Sequence, residues 1–177
     1  MMRLDWKIYA IGLGVLMLSI MVFFLQKVFF FLAIVLATIL LAVVLRFSYP
    51  IKYLGVELIT LSTMLVGVSY GPILGGIYAF TMLLVHLVVG DYYIGPYLMW
   101  LIPEYVVLGI LSGILGTSII GPIGVFFIVS MNLLNLFFTF VGEPERFSKE
   151  LPFAIGNSVI NSAILLKFLS SVVNFIG

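Results

Sequence analysis

The chain has no cysteine and a single histidine, His86, so disulfides, thiolate metal sites, cysteine nucleophiles and His-rich metal centres are all excluded from the start. Charge is almost as scarce. Asp, Glu, Lys and Arg make up 8% of the 177 residues, against roughly a quarter in an average soluble domain. The formal net charge of +1 leaves no basic face for nucleic acid. What fills the space is apolar: 64% of residues are hydrophobic, Phe alone accounts for 16 positions, and mean hydropathy is +1.35. Several apolar stretches exceed the roughly 18 residues that mark a membrane-crossing helix. These features predict an all-α, polytopic transmembrane bundle at the cell membrane, with the lipid bilayer as its solvent and no water-soluble domain.

Polar and Gly/Pro breaks at Gln26-Lys27, Ser48 to Gly55, Tyr70-Gly71-Pro72, Gly90 to Pro96, Gly116 to Pro122 and Gly142 to Pro152 divide the chain into seven apolar segments. Their approximate spans are 6–26, 28–47, 55–70, 72–90, 97–116, 120–141 and 151–175, giving six or seven crossings. The third offers only about 24 Å of helical rise and is expected to be tilted or buried among its neighbours. The start MMRLDWKIYAIGLG has a basic residue ahead of an apolar run but no small-x-small cleavage site, and reads as a retained first helix. Short connections make successive helices antiparallel neighbours, and the longest polar one is GEPERFSKE at 142–150. With seven alternating helices, Arg3, Lys7, Arg46, Lys52, Arg146 and Lys149 fall on one side and Lys27 on the other, which places the N-terminus in the cytoplasm.

Three features could carry function. Ala33 and Ala37, and likewise Ala10 and Gly14, stand four residues apart, a spacing that lets a helix pack closely on a neighbour or on a partner protein. In the run from Tyr70 to Gly76, three glycines at a helix start let backbone approach another helix or a ligand, while the absence of the G-x-x-x-x-G-K-[ST] pattern excludes a phosphate-binding loop. The stretch from His86 to Tyr105 is the densest polar-aromatic cluster. Tyr97, Trp100 and Glu104 share one helical face there, and a carboxylate inside a membrane helix normally faces a cavity or a partner. Glu104, Trp100, Tyr97 and His86 are therefore the first candidates for contacting a flat or cationic solute, with Glu57 a weaker one. Asn132 with Asn135, and Asn157 with Asn161, form two amide faces that either bond across helices or hold substrate. Lys167, near the end of the last helix, is placed to snorkel to a headgroup. No Ser/His/Asp arrangement, paired carboxylates or His-x-x-x-His occurs, so no catalytic residue, cofactor or metal is assigned.

The run LAIVLATILLAVVLRFSYP followed by GVELITLSTMLVGVSYGPILGGIYAF and a Gly-Asp turn resembles the substrate-binding S components of energy-coupling factor (ECF) vitamin transporters over roughly residues 28–175. The resemblance implies a six-helix membrane domain at 28–177, preceded by an additional hydrophobic helix at 1–27. Ala33 and Ala37 match the alanine motif that docks a transmembrane coupling subunit. Gly71, Pro72, Gly75 and Ala79 match the start of the family's third helix, and Asp91 its following acidic residue. It implies capture of a vitamin-like, aromatic or heterocyclic small molecule, with Glu104, Trp100, Tyr97, His86, Asn157 and Asn161 lining the pocket and with separate ATPase subunits supplying energy. The chain itself is then not an enzyme. MMRLDW lacks the Met-His start of cobalt and nickel S components, which disfavours a metal substrate. The family's first helix starts in the cytoplasm, opposite to the orientation given by the Lys and Arg count. The same Gly-rich helix and acidic end also resemble the rod-shape-determining membrane protein MreD, and with it a scaffold without transport activity.

Overall fold

A computed structural model describes residues 6–119, 121–169 and 171. Among them the chain is helical throughout its ordered elements: α1 Trp6–Phe47, α2 Tyr49–Lys52, α3 Ile59–Tyr70, α4 Pro72–Val89, α5 Leu98–Leu115, α6 Pro122–Gly142 and α7 Phe147–Ile164, with short 3-10 turns at Gly116–Ile119 and Pro144–Arg146. The all-α bundle expected from composition is what forms. Four helical stretches, Gly12–Phe47, Pro72–Val89, Leu98–Ile119 and Pro122–Gly142, are long and apolar enough to cross a membrane, which makes this a membrane protein.

The first expected break is absent. Residues 6–26 and 28–47 belong to one helix of 42 residues, not two. Gln26 and Lys27 are polar, but both are good helix formers, and with no Gly or Pro beside them the backbone has no cause to turn. Polarity marks a loop in a soluble protein more reliably than it does here. The antiparallel pairing of those two segments, and the charge count built on it, therefore do not hold. Arg3 lies outside the described residues, as do the side chains of Lys7 and Ala10.

Two units emerge from the packing, one up to Ala33 and one from Ile34 onward. In the first, the large apolar side chains from Leu13 to Val22, with Phe24 and Leu25, are exposed around the helix, as expected of a surface solvated by lipid tails.

In the second unit, the remaining part of α1 buries Ile34, Thr38, Ala42 and Leu45, a stripe at helical spacing. The Thr38 hydroxyl meets the Tyr78 hydroxyl of α4 at 3.2 Å. Helix α3 is the centre: every residue from Ile59 to Gly67 is buried. At 12 residues, or about 18 Å, it is too short to cross the hydrocarbon, and the loop 53–58 before it is irregular, so the expected 55–70 helix starts four residues late. Helices α4 and α5 pack on α3 and on each other, while α6 and α7 form an antiparallel hairpin. The α4–α5 seam is set by glycine. A Cβ on Gly75 would lie 2.4 Å from the Gly109 carbonyl oxygen, and one on Gly109 would lie 2.3 Å from that of Gly75. The Gly-rich segment at 71–76 thus lets α4 backbone touch α5 backbone.

Helix α7 begins at Phe147, ahead of the expected 151, because Arg146 pairs with Glu150 at 2.8 Å one turn along and holds the first turn in helix.

Candidate functional site

The loop 53–58 owes its position to two close approaches. Gly55 sits at φ 69°, and a Cβ there would meet the Phe153 carbonyl oxygen at 2.2 Å; on the facing helix, a Cβ on Gly156 would meet the Leu54 carbonyl oxygen at 2.0 Å. The loop backbone therefore lies directly on α7, which brings Glu57 against Asn157.

Glu57 is the hub that results. It is only 4% exposed, and its Oε1 accepts hydrogen bonds from the Thr60 hydroxyl at 2.6 Å, the Tyr105 hydroxyl at 3.0 Å and the Asn157 amide at 2.9 Å. Four elements converge on one oxygen region: the loop, α3, α5 and α7. The Asn157 amide also donates to the Gly55 carbonyl at 3.2 Å, and its oxygen accepts from Asn132 of α6 at 2.9 Å. This is a buried polar group satisfied in the way such groups must be in an apolar interior. The other carboxylate oxygen, Oε2, faces His86 Nε2 at 3.7 Å, beyond hydrogen-bond reach. His86, on the last turn of α4, is itself buried; its Nδ1 has no protein partner, and its ring lies 4.9 Å from the ring of Tyr92.

These groups form the buried end of a cavity of about 410 Å³. Glu57, His86, Tyr105 and Asn132 line that end, and Asp91, Tyr93 and Lys149 lie at the exposed one. Between them, cations cover the rings. Lys52 Nζ sits 4.1 Å above Tyr92 while donating to the carbonyls of Gly90 and Asp91. Arg146 lies 4.3 Å from the ring centre of Tyr93 and 5.2 Å from that of Tyr97, and is held by Glu143 at 3.0 Å and Glu150 at 2.8 Å. Burial pushes the Tyr97 hydroxyl up to about 12, with Arg146 opposing, and burial together with Glu57 pushes the Tyr92 hydroxyl higher still. Both phenols stay protonated at neutral pH, and the Tyr97 hydroxyl donates a hydrogen bond to the Tyr93 carbonyl. The Tyr92 hydroxyl has no protein partner.

Comparison with protein-family models, curated proteins and solved structures gave no match. The site is therefore read from its own geometry.

Of the residues singled out from sequence, His86, Tyr97, Glu57, Asp91, Asn132 and Asn135 line the cavity. Asn157 lies one layer behind it, joining Asn132 to Glu57. Glu104, Trp100 and Asn161 are not on its wall. Trp100 instead stacks on Phe138 of α6 at 4.8 Å. Glu104 has Asn135 as its polar neighbour, yet neither of its oxygens makes a hydrogen bond of normal geometry. Asn161 is wholly buried with neither amide atom bonded to protein. Ala33 and Ala37 are both exposed residues of α1, and Asp91 takes a left-handed φ of 54° at the end of α4, a conformation Asp tolerates better than most residues. Tyr92 belongs to the polar-aromatic cluster noted in the sequence, but spacing gave no means to find Lys52 or Arg146 beside it, since each reaches the cavity from a separate segment. Among the described residues, no group of three His, Asp or Glu side chains is placed to hold a metal ion.

Proposed function

We propose that this chain is the membrane-embedded, solute-binding subunit of an ATP-driven uptake system, similar to the S components of ECF transporters, and that it crosses the cell membrane several times. The observation carrying the proposal is the 410 Å³ cavity with a polar buried end. That volume lies within the range of small-molecule sites. A scaffold that only joins other membrane proteins has no use for an internal space lined by a buried carboxylate whose Oε2 stands 3.7 Å from His86 Nε2. Such groups are costly to bury unless something occupies the space beside them.

In this reading the solute is a small aromatic or heterocyclic compound. The exposed small residues Ala33 and Ala37 face a transmembrane coupling subunit. The chain carries no nucleotide motif, so hydrolysis belongs to separate ATPase subunits.

The test is purification of the full chain in mild detergent, with mass spectrometry of retained small molecules and capture of co-purifying subunits. A retained heterocycle together with an ATPase partner supports uptake. Absence of any retained or added solute, combined with capture of integral membrane proteins alone, replaces this reading with the MreD-like scaffold.

A further inference from the structure

The buried end of the cavity presents an acceptor and an imidazole side by side. Glu57 Oε1 is saturated by Thr60, Tyr105 and Asn157, which fixes the carboxylate and leaves Oε2 as its open acceptor. His86 Nε2 lies 3.7 Å away, too far to bond Oε2 itself. Facing the carboxylate favours the tautomer with its proton on Nε2. Glu57 Oε2 and His86 Nε2–H are then an acceptor and a donor at a separation that suits two slightly splayed hydrogen bonds to neighbouring atoms of one rigid group.

The charge around the cavity narrows the choice. Three lining cations, Lys52, Arg146 and Lys149, stand against three lining carboxylates, Glu57, Asp91 and Glu150. A solute of high net charge of either sign would therefore find as much repulsion as attraction. The aromatic faces that would otherwise cage an organic cation are taken: Lys52 covers Tyr92, and Arg146 covers Tyr93 and Tyr97.

We infer that the cavity recognises an uncharged, flat heterocycle through a lactam-type edge, its N–H donating to Glu57 Oε2 and its adjacent carbonyl accepting from His86 Nε2. This rests on reading the cavity as a solute site. The edge is selected by complementarity, since an analogue lacking the N–H would leave a buried carboxylate oxygen without its partner.

Binding of uracil, hypoxanthine and 2-quinolinone to the detergent-purified full chain, measured by calorimetry beside the forms methylated on the lactam nitrogen and beside tetrapropylammonium, tests this. At least one lactam is expected to bind, and its N-methyl form about tenfold or more weaker. In Glu57→Gln the amide oxygen stays with the three donors at Oε1, so the amide nitrogen replaces the open acceptor, and lactam affinity is expected to fall by a similar factor. If that variant does not fold, His86→Phe, which removes only the second bond, is measured in its place with the same expectation. The inference is overturned if no lactam binds, if methylation leaves affinity unchanged, if the folded variant binds as tightly as the native chain, or if tetrapropylammonium binds more tightly than every lactam. Any of these alongside a different retained solute keeps the uptake reading and discards the edge. Lactam binding without an ATPase partner does the reverse.

Discussion

Asn157 and Asn161 stand one turn apart on α7, are both fully buried, and should respond unequally to the same substitution. The Asn157 side chain makes three hydrogen bonds, to Glu57 Oε1, to the Gly55 carbonyl and from Asn132. Asn157→Ala removes all three and strands partners on the loop and on α6. Hydrogen bonds between membrane helices average only about 0.6 kcal/mol, with the strongest near 1.7. The bond to the carboxylate lies at the upper end, because hydrogen bonds to charged groups contribute about 1.5–3 kcal/mol. A total near 3 kcal/mol is expected. Asn161→Ala creates the same loss of volume but breaks no hydrogen bond to protein, and it removes an amide whose burial itself costs about 1–3 kcal/mol. Its net effect should lie within about 1 kcal/mol of zero. Because both substitutions delete the same atoms, packing cancels in the comparison, and the difference reports the polar network. The measurement is equilibrium unfolding by sodium dodecyl sulfate in mixed micelles, followed by circular dichroism. A difference below about 0.5 kcal/mol, or a larger loss for Asn161→Ala, would falsify the assignment of Asn157 as the clamp between loop and α6–α7 hairpin.

Glu104→Gln is expected to leave stability unchanged or raised and solute retention intact, because neither Glu104 oxygen has a hydrogen bond to lose and the residue is off the cavity wall; impaired retention in a folded variant would place Glu104 in the site after all. Gly75→Val should abolish a monodisperse folded preparation on size-exclusion chromatography, since its Cβ would stand 2.4 Å from the Gly109 carbonyl oxygen and both atoms belong to rigid helices, at a cost of about 3 kcal/mol or more. Tyr97, with its hydroxyl raised to about 12 by burial, should titrate later than an ordinary tyrosine near 10. The unfolded chain then loses that proton first, so the contribution of Tyr97 to stability is complete below pH 10 and falls between about pH 10 and 12. A difference absorbance titration of native protein minus Tyr97→Phe checks this, and a step at pH 10 would contradict it.

Much of the fold was legible because hydrocarbon is a demanding solvent. Gly and Pro at 71–72, 90–96 and 121–122 end helices, and the structure turns at each of them, whereas Pro103 and Pro152 lie inside α5 and α7. Gln26-Lys27 misled because polarity alone was read as a break, whereas helix termination requires a backbone reason that those residues do not supply. Asn157 and Asn132 stood out as amides on apolar helices, and their spacing left open whether they would bond each other or a solute; the answer depended on Gly55 bringing the loop onto α7, a contact between residues about a hundred positions apart. Glu57 looked peripheral for the same reason. It lies just before a helix, where a carboxylate usually meets water, and only the tertiary approach of α5 and α7 turns it into a buried hub. Tyr92, Lys52 and Arg146 come from three separate connections, and no periodicity links them.

The same carboxylate thus serves packing on one oxygen and the cavity on the other, and this division has a consequence for any mutational study. Changes on the Oε1 side, at Thr60, Tyr105 or Asn157, act on the joints between the loop, α3, α5 and α7, so a loss of binding there is inseparable from a loss of fold. Changes on the Oε2 side, at His86 or Tyr92, touch groups that have no hydrogen bond to protein at the atoms concerned. They can alter what the cavity accepts without dismantling its frame. A site built this way gains rigidity from the bundle itself, because the bonded oxygen ties the loop 53–58 to α3, α5 and α7 and so holds the open oxygen in place. The position of Glu57 is then a property of helix packing, and the selectivity of the cavity follows from the seating of the loop against α7 as much as from any residue on its wall.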